Sequence, residues 1–453
     1  MPALRSTRVV LPDGVRPAVI HVDGGRIVRV DDDARLKGSR SIDASAIDYG
    51  DLVISPGIVD THVHVNEPGR TEWEGFDTAT HAAAAGGVTT IVDMPLNSVP
   101  ATTTVAAFAA KQSAARGRVH VDVAFWGGVV PGNAGELDGL VDAGVRGFKC
   151  FLAPSGVEEF PHVTEADLRE ALPILARRGV PLLVHAEDPT CLTRPTRPTY
   201  RAYLASRPPR AELEAVAMMI RLSREYGAHV HIVHVACAEA VDAVARAKAD
   251  GVPITAETCP HYLTFTADDV RDGATEFKCA PPIREASHRD ALWAGLQSGT
   301  LDLVATDHSP APPAMKCSGN FITAWGGIAS LELSLAATWT AMSRVGAAVQ
   351  GARDGQPERL ALRKMADWMS AAPAALARLD DRKGRIAQGC DADLVIWDPD
   401  VERTVDASRL HQRHPLTPYA GRTLRGAVHE TYVRGRRVWN HGALDRPGAG
   451  TVL

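Results

Sequence analysis

Ile58-Val59-Asp60-Thr61-His62-Val63-His64 is a short apolar run that closes on two histidines spaced i and i+2. On a strand such a pair projects from one face, so His62 and His64 can grip one ion together. Lys149, His185, His234 and Asp307 follow in that order, each near the end of another short apolar run. Metal-type ligands that collect at strand ends, far apart in sequence, describe the mouth of a (β/α)8 barrel, where such folds carry their active sites.

The surrounding pattern supports an α/β fold of this kind. Residues 58–64, 88–94, 119–125, 145–151, 180–185, 230–235, 253–258 and 301–307 read as strands, eight in all. Helix-compatible stretches rich in Ala, Leu, Glu and Arg lie between them, at 77–85, 102–115, 164–178, 210–226 and 238–249, several with Thr or Asp in cap positions. The two ends of the chain have another texture. Thr7-Arg8-Val9-Val10, Ala18 to Val22 and Arg26 to Val30 are short β-branched runs, and Asp23-Gly24-Gly25 between the last two reads as a hairpin turn. Similar runs return at Ala392 to Trp397 and Glu430 to Arg434. Neither end has enough strands to cover a core alone. The expectation is a discontinuous β-sandwich from 1–54 and 378–453 around a barrel spanning 55–377. Polar, Pro- and Gly-rich loops at Glu67 to Glu74 and Ser309 to Gly319 resemble lids.

Bulk properties exclude some functions. Lys+Arg 49 against Asp+Glu 54 gives a net charge of −5, and no basic stripe appears, so nucleic acid is not an expected partner. The N-terminus has charges where a signal peptide needs an apolar core, and no stretch approaches the roughly 20 apolar residues of a membrane span. Seven cysteines are scattered with no Cys-x-x-Cys pair, which fits reduced thiols in a cytoplasmic protein.

Imidazoles and carboxylates that hold a divalent metal with an open position lower the pKa of bound water to about 7. Two metals about 3.5–4 Å apart also polarise a carbonyl, but holding them so close needs an anionic bridge. A lysine ammonium cannot serve. Lys149, in Gly147-Phe148-Lys149-Cys150-Phe151, ends an apolar strand, where burial would depress its pKa and free a nucleophilic amine. Capture of carbon dioxide by that amine would make a carbamate, a carboxylate-like bridge.

The segment Ser55 to Gly69, with Lys149 and Ala305-Thr306-Asp307-His308-Ser309-Pro310, resembles the cyclic amidohydrolases, and among them the allantoinase family most. Gly69 to Phe76, Glu257-Thr258-Cys259-Pro260-His261-Tyr262-Leu263, Lys278-Cys279-Ala280-Pro281-Pro282-Ile283-Arg284 and Ala324-Trp325-Gly326-Gly327-Ile328 carry the likeness across nearly the whole chain. The resemblance implies two divalent ions, zinc by default with cobalt, manganese or iron also compatible. His62, His64 and Asp307 would bind the more buried ion, His185 and His234 the more exposed one, and N6-carboxylated Lys149 would bridge them. Asp307 would also take a proton from the attacking hydroxide and pass it to the departing nitrogen, opening allantoin to allantoate in purine degradation. Relatives are commonly tetramers or dimers, so a homo-oligomer is expected.

Two positions separate the relatives. Dihydroorotases carry an arginine where Asn66 stands, and Asn66 cannot neutralise a carboxylate, so an uncharged substrate is expected. Dihydropyrimidinases and hydantoinases carry a tyrosine a few residues beyond the bridging lysine, whereas this chain has Ala153-Pro154-Ser155-Gly156. Ser155 is therefore the candidate hydroxyl for the carbonyl oxygen. Ala280 and Gly326 are further candidate substrate contacts, the latter because glycines let backbone groups approach a ring. His229 and His231 read as structural, and His261 and His308 as hydrogen-bonding neighbours of the site. The alternatives are a hydantoinase-like hydrolase of another cyclic amide and a catalytically silent scaffold; the latter would lack ligands, and none of the six is missing.

Overall fold

The computed structural model describes residues 3–32, 46–344 and 356–453. Residues 1–2 and 33–45 of the expected N-terminal β segment, and 345–355 of the expected barrel segment, lie outside the described residues. Strands Ile58–Val63, Val88–Asp93 and Asp122–Phe125 pair in parallel. Gly127–Gly128, Phe148–Phe151, Leu182–His185, Val230–Ile232, Ile254–Thr258 and Leu303–Val304 form a six-stranded parallel sheet. Each of the eight expected strands contains one of these; the two-residue Gly127–Gly128 pairing is additional.

Only Trp126 separates the two sheets along the chain, and its N–H donates to Asp93 O at 3.0 Å. At the other end His308 bridges Val63 in parallel, through His64 N to His308 O at 2.8 Å and His308 N to His62 O at 3.2 Å. The strands Ile58–Val63 and Val88–Asp93 are buried on both faces, as parallel strands covered by helices must be. Strand parity sorts the side chains. Ile91, Phe148, Cys150, Leu182 and Val184 face the helices, while Val92, Phe151, Leu183 and Val233 meet in a separate inner cluster with Trp126.

The helices form where the 3.6-residue pattern predicts. Pro209–Tyr226 buries Ala211, Ala215, Val216, Met219 and Leu222 along one stripe. Thr164 and Asp167 make a reciprocal capping box on Glu165–Arg178, and Thr104 caps Val105–Ala115. No helix among the described residues is long and apolar enough to cross a membrane.

Strands from the two ends hydrogen-bond into a nine-stranded sheet. Val53–Pro56 stitches it together, pairing in parallel with Leu4–Leu11 and antiparallel with Leu394–Thr404. Because that short strand is paired on both sides, the strands expected to form a sandwich make one continuous ladder. Leu4, Val9, Ile20, Ile54, Leu394, Ile396 and Tyr432 fill its core.

A buried ammonium ties this sheet to the parallel strands. Lys383 Nζ donates to Asp122 Oδ2 at 2.8 Å and Asp393 Oδ2 at 2.6 Å, and lies 3.3 Å from Asp391. Those three carboxylates have metal-like spacing, but the lysine sits on all of them. Lys383→Met leaves the acids buried without their shared cation, and should lower unfolding stability by about 3–5 kcal/mol. The urea midpoint of the variant measures it; an unchanged midpoint contradicts this account of the junction.

Candidate metal centre

Parity and left-handed backbone at two positions bring the expected ligand set together. Phe148 and Cys150 point to the helices, so Lys149 and Phe151 face inward; the same alternation turns His62, His64 and His185 inward. His231 also faces inward, which would send His234 outward. His234 instead adopts φ 42, and Asp307 adopts φ 45, left-handed backbone that is rare for non-glycine residues and gathers at functional sites.

The result is a cavity of about 230 Å³ lined by His62, His64, His185, His234 and Asp307, with Phe151, Ser155, Tyr203, Arg207, Lys278, Ala280, Trp325 and Gly326 around them. Asp307 Oδ1 lies 3.2 Å from His62 Nε2 and 3.3 Å from His64 Nε2. His185 Nδ1 faces His234 Nε2 at 3.0 Å. Lys149 is fully buried, its Nζ 5.0 Å from the centre of the Phe151 ring and without a hydrogen-bond partner.

The electrostatics suit metal ligation. Burial pushes His64 down to about 4 and lowers His185 and His234 as well, leaving neutral imidazoles with lone pairs to give. Burial opposes ionisation of Asp307, but His62 and His64 outweigh it and hold the carboxylate well below its usual range. Burial likewise brings the Lys149 amine down to about 8, close to where the nucleophilic free base becomes plentiful. An orphaned buried amine among neutral imidazoles and an ionised carboxylate is a donor set that fits divalent ions once the amine carries an anionic group.

Carboxylates behind the histidines fix which nitrogen faces the centre. Glu257 Oε1 lies 2.5 Å from His62 Nδ1, and its Oε2 lies 3.0 Å from His231 Nε2. Glu187 Oε2 lies 2.8 Å from His185 Nε2 and is itself gripped by Arg207 at 2.5 Å. Asp60 Oδ1 accepts from His62 N at 3.1 Å and Thr306 N at 3.2 Å, binding the two ligand-bearing segments to each other. Sequence reasoning did not single out these three acids. Glu187 was within reach, since i+2 from His185 on extended backbone is the same face, and Glu257 stands at the end of an expected strand.

The other expected residues divide. Ala280 and Gly326 line the cavity. A side chain at Gly326 would meet open space, whereas at Gly327, with φ 126, it would strike Ser309 O at 2.3 Å, so the second glycine is the one the backbone requires. Ser155 lines the cavity too, but its hydroxyl donates to Phe160 O at 2.6 Å and accepts from Val157 N at 3.3 Å, which is the bonding of a turn residue. Asn66 is buried with φ 66, and its Nδ2 donates to Pro310 O at 3.4 Å, outside the cavity wall. His229 bonds Thr255, and His308 receives Ser330 N and Leu331 N, so both hold backbone segments in place. His261 is buried with neither ring nitrogen bonded. Of the expected lid loops, the one from Glu67 to Glu74 reaches the cavity wall: Arg70 pairs with Glu159 and covers Trp73, which packs edge-on against the wall residue Trp325 at 5.0 Å.

Known proteins share both the sequence and the fold. The chain is 48% identical to an allantoinase of Streptomyces avermitilis over 98% of its length and 96% of that protein. It is 41% identical to an allantoinase of Arabidopsis thaliana, over 99% of this chain and 90% of that one. An allantoinase of Saccharomyces cerevisiae is 40% identical over 100% and 98% of the two chains. Among solved structures, an L-hydantoinase (dihydropyrimidinase) from Arthrobacter aurescens superposes with TM-score 0.92 at 32% identity, covering 100% of this chain and 99% of that one. The dihydropyrimidinase from Brevibacillus agri gives TM-score 0.87 at 30% identity, covering 100% and 98%. The amidohydrolase family model matches residues 53–438, and the chain belongs to that family.

Proposed function

We propose that this chain hydrolyses allantoin to allantoate, a ring opening in purine degradation, at two divalent ions held by His62, His64, His185, His234, Asp307 and a carboxylated Lys149. The observation that carries the reading is the partnerless, fully buried Lys149 amine among those side chains. Carbon dioxide adds to the neutral amine, forming an N–C bond and releasing one proton, and the carbamate supplies the anionic bridge. When bound, the ions would lower the pKa of water and polarise an amide carbonyl; the mixed nitrogen and oxygen donors suit zinc, the default, and equally cobalt, manganese or iron.

The chain's own residues supply the remaining steps. Asp307, ionised and 3.2 to 3.3 Å from two imidazoles, accepts a proton from the attacking water and returns it to the departing ring nitrogen. Glu257 and Glu187 hold the His62 and His185 tautomers, and the aromatic wall of Phe151, Tyr203 and Trp325 keeps the ring from solvent. Backbone groups beside Ala280, Gly326 and Ser155 are the proposed substrate contacts, since the Ser155 hydroxyl is committed to Phe160. The same reading takes the parallel strands as a closed (β/α)8 barrel over 55–377 with the His308 and Val63 pairing as its seam, and takes 1–54 and 378–453 as one β domain. Allantoin is favoured over hydantoin because the allantoinases match at 40–48% identity and the hydantoinase structures at 32% or below.

Metal-loaded enzyme should open allantoin with a higher kcat/KM than hydantoin, dihydrouracil or dihydroorotate in side-by-side assays; dihydroorotate as best substrate would overturn the assignment. Lys149→Ala should cost about three orders of magnitude in kcat and reduce bound metal from two ions to one or none by elemental analysis. Full activity in that variant excludes the bridge. Glu257→Gln should weaken metal affinity or activity by about 10- to 100-fold, the range for a carboxylate that orients a ligating histidine; wild-type affinity and rate would assign Glu257 to packing alone.

A further inference from the structure

Lys278 stands in the cavity wall, only 8% exposed, and no carboxylate bonds it among the described residues. Its ammonium donates to Ala324 O at 2.6 Å, reaches Ile322 O only at 3.5 Å and lies 5.0 Å from the centre of the Tyr203 ring. An ammonium has three protons, so one short bond and one long one leave donor capacity on a side chain of the cavity wall. The neighbouring cation does not share that freedom, because Glu187 takes Arg207 through both its Nε and Nη2. Burial and then Arg207 lower Lys278 to about 8. The cavity wall therefore carries an incompletely bonded donor besides the side chains proposed as metal ligands.

We propose that Lys278 is the specificity-determining residue for a ureido or similar acylamino substituent outside the ring, donating to that substituent's carbonyl oxygen while the ring amide occupies the ligand end. The inference rests on the allantoin reading and gives the part of allantoin that hydantoin lacks its own recognition group. A cation kept in a wall without a counter-charge is costly unless something polar completes its bonding, and a urea carbonyl does so without demanding a charged substrate. Lys278 also supports the loop around Trp325, since its carbonyl receives Gly327 N at 2.8 Å and Lys316 Nζ at 2.7 Å. A purely structural role would disturb every substrate alike.

The test compares wild type, K278M and K278R, metal-loaded, on allantoin and on hydantoin; where hydantoin is not turned over, its competitive Ki replaces kcat/KM. In K278M the preference for allantoin over hydantoin should fall about 10- to 100-fold, the worth of one charge-assisted hydrogen bond, and K278R should recover much of it. Equal losses on both compounds, or an unchanged preference, overturn the subsite while leaving the allantoin reading intact. A wild-type chain that opens hydantoin but leaves allantoin untouched overturns that reading, and the subsite with it.

Discussion

A lysine amine buried without a partner is the constraint on which this site turns. An ammonium at the Lys149 position would be a cation facing three imidazoles, with Asp307 and then Glu257 to offset it, and burial outweighs both in penalising the charged form. Burial shifts the balance toward the neutral amine, and that is the state that reacts with carbon dioxide. The proposed carbamate would then reverse the local sign, from a site that repels cations to one that collects them. In the proposed reading, burial of one side chain thus prepares both the chemistry of its modification and the place where the product would be needed.

The rest of the arrangement keeps the other ligands in register with that lysine. Side chains from strands remote in sequence must agree to within a fraction of an ångström, and rotamer preference alone does not provide that. Asp60 ties the backbone of His62 to that of Thr306, next to Asp307, while Glu257 and Glu187 each grip the far nitrogen of a histidine. Each of those acids is buried and has at least one further partner, so the histidines are oriented from behind by groups that are themselves fixed.

What the sequence disclosed follows from periodicity and spacing. The strand-ending positions of His62, His64, Lys149 and His185 were legible because strand parity is a local property, and the structure brings them to one face. His234 is legible by its nearness to the strand end, but its inward aim depends on left-handed backbone that no pattern announces. The bonding of Ser155 and Asn66 was not legible: both are small polar residues in loops, and whether such a side chain serves backbone or substrate is decided by carbonyls elsewhere, Phe160 and Pro310 here. The continuous end-built sheet was hidden for a similar reason, since the pairing of Val53–Pro56 on both edges is a long-range fact.

Amide-cleaving power is a hazard in a cell full of peptide bonds, and the chamber's modest size contains it. At about 230 Å³ the space falls below the roughly 300–1,000 Å³ of sites that take drug-sized ligands. Trp325 stands in its wall with the Trp73 ring packed edge-on against it, so the chamber offers a polypeptide backbone little room. Protection of bystander macromolecules is therefore a matter of admission, settled at the doorway and independent of how reactive the centre becomes.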